Sequence, residues 1–150
     1  MDLSLSVKIA LTSAFVFFML ALITGVWKYR LMTQSEKGQS RYYVDIAHRS
    51  SFLYAYAALL LAVFSYLSQF SEWLNTLAVL GSVFFYLAAV LGYVYQGIIN
   101  KTSNQIRSSI RKEPSSTPMW LTHLFTYSLI VAEIGGALIL GLGAMLAIWV

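Results

Sequence analysis

Asp45-Ile46-Ala47-His48-Arg49-Ser50-Ser51-Phe52-Leu53-Tyr54-Ala55-Tyr56-Ala57-Ala58-Leu59-Leu60-Leu61-Ala62-Val63-Phe64-Ser65-Tyr66-Leu67 passes from a charged head into a run without a single charge. At about 1.5 Å per helical residue, the segment from Ala47 to Leu67 matches a hydrocarbon core of about 30 Å, so it reads as a membrane-spanning helix. On that helix positions 45, 48, 49 and 52 share a face, so a carboxylate, an imidazole and a guanidinium meet at the edge of lipid.

Composition carries the same reading to the whole chain. With 59% hydrophobic and 11% charged residues and a mean hydropathy of +0.70, the 150 residues do not make a water-soluble globule but a single integral membrane domain, residues 1–150. Three further spans follow from the apolar runs: about 5–27, 73–99 and 119–150. The first is longer than a signal-peptide core, has Asp2 before it and ends in Trp27-Lys28-Tyr29-Arg30, so it reads as a retained helix. Ser68 to Glu72 is too short for anything but a turn, which makes the second and third spans an antiparallel hairpin. Residues 31–44 and 100–118 are polar and read as loops; the second holds both prolines. The expected fold is an all-α, integral membrane four-helix bundle.

Nine of the ten Lys and Arg residues belong to those two loops or the helix ends beside them: Lys28, Arg30, Lys37, Arg41, Arg49, Lys101, Arg107, Arg111 and Lys112. The positive-inside rule then places both loops in the cytoplasm and both termini on the non-cytoplasmic side, in a membrane expected to be the bacterial inner membrane. Topology accounts for the net charge of +4, and nucleic acid is not an expected partner. Cysteine is absent, which excludes disulfides, thiolate metal sites and iron–sulfur clusters. No phosphate-binding glycine loop, zinc-binding His-Glu-x-x-His or Gly-x-Ser-x-Gly elbow is present, so hydrolase and nucleotide-driven chemistry fall away.

The chemistry-bearing residues are few. His48, between Asp45 and Arg49, is placed as an axial haem or metal ligand with its second ring nitrogen fixed by a neighbouring acceptor, or as a hydrogen-bonded histidine in a polar helix end. His123 lies beside Trp120 at the start of the fourth span, an interfacial residue or a second ligand opposite His48. Glu133 sits half-way along the fourth span, where an acid must face protein or water. It reads either as a buried acid for proton transfer or substrate-hydroxyl binding, or as an interhelical clamp to a tyrosine. It shares a face with Gly136, Ala137, Leu140 and Ala144, small residues that admit a neighbouring helix. Tyr86, Tyr93 and Asn100, seven apart, make one polar-tipped face that is expected to line a cleft.

Ala47-His48 opening the second helix, Gly81-Ser82 early in the third and Tyr93 or Tyr95 beyond them resemble styrene oxide isomerase over spans two to four. The resemblance implies haem b held by His48, with Asp45, Arg49 and Tyr54 beside it. Tyr54 stands where that family has an asparagine, and Phe85 or Leu87 where it has an aspartate. It further implies an apolar epoxide as substrate, opened to a carbonyl by ferric haem acting as a Lewis acid, with Tyr93 or Tyr95 orienting it. Glu133 stands beside them as a candidate catalytic acid on its own reading, not on the resemblance. Ile46-Ala47-His48-Arg49 after a basic loop is also similar to the membrane-associated eicosanoid and glutathione metabolism family. That alternative implies glutathione, with Lys28, Arg30 and Arg49 as carboxylate anchors. The Arg and Pro expected at the end of the third helix are missing between Gln96 and Lys101. Both families imply a homotrimer with sites between protomers. A third reading is a non-catalytic subunit whose small-residue faces pack into a larger membrane complex, with Glu133 as a structural contact.

Overall fold

The computed structural model describes residues 2–102, 104–111 and 117–150, and it is all-helical over them. Four long helices, α1 (Leu5–Thr33), α2 (Tyr42–Leu67), α3 (Glu72–Ile99) and α5 (Met119–Trp149), are each long and apolar enough to cross a membrane; α4 (Gln105–Ile110) is a short helix between α3 and α5. The four form a bundle, as the hydropathy predicts. α2 and α3 occupy its middle and touch each other, α1 packs on both of them, and so does α5. Among the described residues α1 and α5 do not meet.

The expected turn between Ser68 and Glu72 is present, but three boundaries differ. α1 continues six residues beyond Trp27 and α2 begins at Tyr42, five residues before Ala47. Hydropathy marks where lipid stops, whereas a helix continues through the headgroups as long as its backbone bonds are made. Asp45 therefore lies in the first turn of α2 and His48 one turn further in, rather than both standing before the helix. The expected loop 100–118 contains α4, started by Asn104, whose Oδ1 accepts the Arg107 N–H at 2.9 Å. Lys112, Pro114 and the rest of 112–116 lie outside the described residues.

Small residues fill the contacts between helices. Ala10, Ala58, Ala144, Ser6, Ser51 and Ser82 are buried, while Leu53, Val131, Ile134, Phe84 and many other large apolar side chains stand on the outside. That inversion of the soluble pattern is the packing expected where lipid is the solvent. Gly136 shows it most clearly. A Cβ built there meets the Ser82 hydroxyl and comes within 2.9 Å of the Ala78 carbonyl on α3. The small-residue face of α5 is thus used inside the chain, except for Ala137, which is exposed.

One end of the bundle is closed by hydrogen bonds. Ser4, the cap residue of α1, makes no side-chain cap; instead the Glu72 carboxylate accepts the Ser6 N–H at 2.7 Å and the Ser6 hydroxyl at 3.1 Å. Glu72 is also the first residue of α3, so a single acid serves the positive ends of two helices. The Ser65 hydroxyl donates to Ser6 Oγ at 2.6 Å, tying α2 to the same point. Below it, the Ser68 hydroxyl donates to Asn75 Oδ1 at 2.9 Å, Asn75 Nδ2 donates to the Phe70 carbonyl at 3.2 Å, and the Gln69 N–H donates to the Gly143 carbonyl at 3.1 Å. The α2–α3 turn is thereby fastened to α5.

At the other end Arg41 Nη1 donates to the Gly97 and Ile98 carbonyls at 3.1 and 3.2 Å, satisfying the carboxyl end of α3. Asn100 follows in the left-handed region (φ 52°), a conformation asparagine tolerates. It lies just past the helix and is exposed, so it does not continue the Tyr86–Tyr93 face as the spacing predicts.

Candidate functional site

His48 does not turn toward Asp45. Its Nδ1 lies 2.9 Å from the Ala21 carbonyl of α1, and since a carbonyl only accepts, Nδ1 carries the hydrogen. The ring is seated against Gly25, where an added Cβ falls 2.9 Å from Cε1, and meets Phe52 edge-on at 5.2 Å. Nε2 is left as the free nitrogen. Asp45 is occupied elsewhere: Lys28 Nζ lies 2.6 Å from one oxygen and Arg49 Nη2 2.7 Å from the other. The acid, base and imidazole predicted to meet are therefore two separate contacts, a Lys28–Asp45–Arg49 ion cluster and a histidine pinned to α1.

His123 is exposed and stacks on Tyr127 at 6.1 Å. The structure gives it and His48 different neighbours, so it does not place them as a facing pair. Among the described residues no group of three or more metal-ligating side chains comes together. Tyr95 is 60% exposed and stands on the outside of the bundle.

The remaining residues do converge. Tyr54 of α2 stacks on Tyr86 of α3 with ring centroids 4.3 Å apart, and both rings pack on buried Phe17 of α1 at 6.0 and 6.2 Å. The Tyr54 hydroxyl approaches the Glu133 carboxyl of α5, and Tyr86 and Tyr93 lie near that carboxyl. Glu133 Oε1 is nevertheless buried with no hydrogen-bond partner, so Tyr54 satisfies at most the other oxygen. Four helices thus contribute to one centre, with a carboxyl that the protein leaves half-satisfied. The tyrosine partner was legible as a class from the sequence. That it is Tyr54 was not, because its helix phase relative to α5 depends on the packing.

Tyr93 connects this centre to a cavity of about 570 Å³ between α2, α3, α4 and α5. Its α3 wall is Ala88, Ala89, Gly92 and Tyr93; Phe125, Thr122 and Thr126 of α5 face it, and Tyr42, Tyr43, Asn104 and Ile106 stand toward the α4 side. Tyr43 and Tyr93 stack at 6.3 Å and 18°. None of the lining residues is charged, and the volume is that of an ordinary small-molecule site. An added Cβ at Gly92 meets nothing within 4 Å, so the chain leaves space where a side chain was sterically permitted. Sequence reading singled out Tyr93, but the cavity's other walls come from residues too ordinary to signal it.

Comparison with protein-family models, with curated proteins and with solved structures returns no match for this chain.

Proposed function

We propose that the protein is a membrane-embedded receptor or enzyme for a molecule whose apolar portion, carrying a hydrogen-bonding oxygen, is held in the cavity between α2, α3 and α5. The observation that carries this reading is Glu133 Oε1, buried and unpartnered behind a tyrosine that lines an uncharged cavity. A carboxyl in a membrane helix costs free energy that structure alone has no need to incur, and an unmet oxygen adds to that cost. Tyr93 donates to the ligand's oxygen; Glu133 and Tyr54 behind it set the polarity of that hydroxyl. The basic end, which contains the cavity, faces the cytoplasm. Lys28 and Arg49, the anchors glutathione would need, are both engaged by Asp45, and no cation lines the cavity itself, so the geometry favours an apolar group inside it over glutathione.

The test is photolabelling of the detergent-purified protein with a dodecanol bearing a diazirine, mapped by mass spectrometry. Labels concentrated on 88–93 and 121–126, and lost in Gly92→Leu, support the reading. Labels spread evenly over the lipid-facing residues, and unchanged in that variant, end it.

A second reading, haem b on His48, is favoured by one observation. A ligating histidine needs one nitrogen anchored and the other free, and Nδ1 is anchored on the Ala21 carbonyl. His48 lines neither described cavity, so this reading puts the macrocycle against the outside of the single chain, in a site shared between protomers of a homotrimer. Bound ferric haem contributes a Lewis acid suited to opening an epoxide. His48 holds it, and Tyr95, on the outer face of α3, is the tyrosine available to a ligand there. An absorption spectrum of protein made with ample haem decides this reading: a Soret band lost in His48→Ala supports it, and its absence from the wild-type spectrum removes it.

A further inference from the structure

Cations border the chain segments that line the cavity. Arg41 immediately precedes the lining residue Tyr42 and reaches the end of α3. Lys101 follows that end, and Arg107 binds through its backbone to the lining residue Asn104. All three are exposed, and among the described residues none of them has an ion-pair partner. The nearby acid Asp45 is already taken by Lys28 and Arg49. Positive charge at one end of a bundle orients it in the membrane and requires nothing more. Here three cations without an ion-pair partner among the described residues adjoin, along the chain or through a backbone contact, the residues that line an uncharged cavity, whose α3 wall runs from Tyr93 through Ala89 and Ala88 toward mid-membrane.

We infer that the cavity's occupant is an anionic amphiphile of the phospholipid class. Its phosphate rests on Arg41, Lys101 and Arg107, and its ester carbonyl lies at the Tyr93 hydroxyl. One acyl chain lies against Ala88, Ala89 and Phe125. The inference rests on the cavity reading above and adds the charge and the chain to it. Each part of the ligand meets its complement at the matching depth: charge with charge at the surface, hydrogen-bond acceptor with donor below it, and hydrocarbon with alanine and phenylalanine below that. Juxtamembrane cations contribute about 1 kcal/mol each toward anionic lipid, close to fivefold in affinity.

The experiment is protection of the cavity from the diazirine–dodecanol label by dihexanoyl phosphatidylglycerol, dihexanoyl phosphatidylcholine or inorganic phosphate, in wild type and in Arg41→Gln/Lys101→Gln/Arg107→Gln. Protection by phosphatidylglycerol at concentrations at least tenfold below phosphatidylcholine, with that preference lost in the triple variant while labelling itself persists, supports the inference. Equal protection by the two lipids overturns it and leaves the cavity reading intact. Protection by phosphate alone at equal concentration overturns it in favour of a free-anion site. No cavity labelling in wild type overturns both. Should the triple variant fail to purify, Lys101→Gln alone, at an exposed position past the end of α3, must lower the preference about fivefold or the inference falls.

Discussion

Glu72 and Glu133 are the same residue at two levels of one bundle, and the protein treats them in opposite ways. Glu72 has its carboxylate filled: the Ser6 N–H, the Ser6 hydroxyl and the Thr76 hydroxyl at 3.2 Å all donate to it. Glu133 lies deeper among the helices, keeps one tyrosine and leaves Oε1 with nothing. Around Glu72 the helices close on serines and an asparagine bonded to one another. Beyond Glu133, past Tyr93, they part to form a cavity. A polar group whose partners all come from the chain is explained by folding; one left short is what the proposed ligand-binding role accounts for. The comparison separates structural from functional polarity without any appeal to residue type, and it is open to direct attack.

The largest effect is expected where the two helices that carry these acids meet. Gly136→Leu places a side chain into the Ser82 hydroxyl and the Ala78 carbonyl, and overpacking against backbone in a bundle core costs about 3 kcal/mol. Loss of a cooperative thermal transition by circular dichroism in detergent is the expected outcome. A wild-type melting curve would show that α3 and α5 are not held at this contact. Next comes Glu72→Ala, which strips α1 of its only carboxylate cap and leaves the buried Ser6 short of a partner; about 2 kcal/mol of stability is lost. If that variant melts with the wild type, the closed end is not the structural half of the molecule and the contrast with Glu133 collapses.

How far these two regions were legible from sequence differs for the same physical reason. The four spans, the Ser68–Glu72 turn and the anomaly of Glu133 followed from hydropathy, because the cost of charge and the length of a crossing depend on one helix at a time. Glu72 read as a solvent-side turn residue, since nothing in its own segment announces that Ser6, sixty-six positions away, brings an uncapped helix to it. Helical spacing groups His48 with Asp45 and Arg49, and for Arg49 and Asp45 that grouping holds. The imidazole nevertheless turned to α1, where Gly25 leaves room for a ring and Ala21 offers a carbonyl. Helix phase within a pair is local; the phase of one helix against another is decided by which small residues let it approach.

Glu133→Leu reverses the sign of the Glu72 experiment. Removing a buried acceptor that lacks a partner relieves a desolvation cost, so the variant is expected to melt at or above the wild type, by about 1 kcal/mol. Cavity photolabelling by the dodecanol probe falls at the same time, because Tyr93 loses the group behind it. A variant destabilised as much as Glu72→Ala would mark Glu133 as a structural clamp.

The finest test is Tyr93→Phe, because it leaves every packing contact in place. The Tyr43–Tyr93 stack at 6.3 Å is between rings, and phenylalanine keeps it, so stability should stay within about 0.5 kcal/mol of wild type. What disappears is one hydroxyl at the boundary between the cavity and the Glu133 centre. If that hydroxyl meets a ligand oxygen, the dodecanol probe binds a few-fold more weakly, the effect of one neutral hydrogen bond of about 1 kcal/mol. A dodecane diazirine lacking the hydroxyl binds as before. The paired probes matter more than the size of the change. Equal weakening of both would mean that the substitution altered the cavity's shape, while weakening of the alcohol alone assigns Tyr93 the role of donor. Unchanged binding of both would return Tyr93 to the company of Tyr43, an aromatic wall, and move the search for the polar contact to Thr122 and Thr126 on the facing helix.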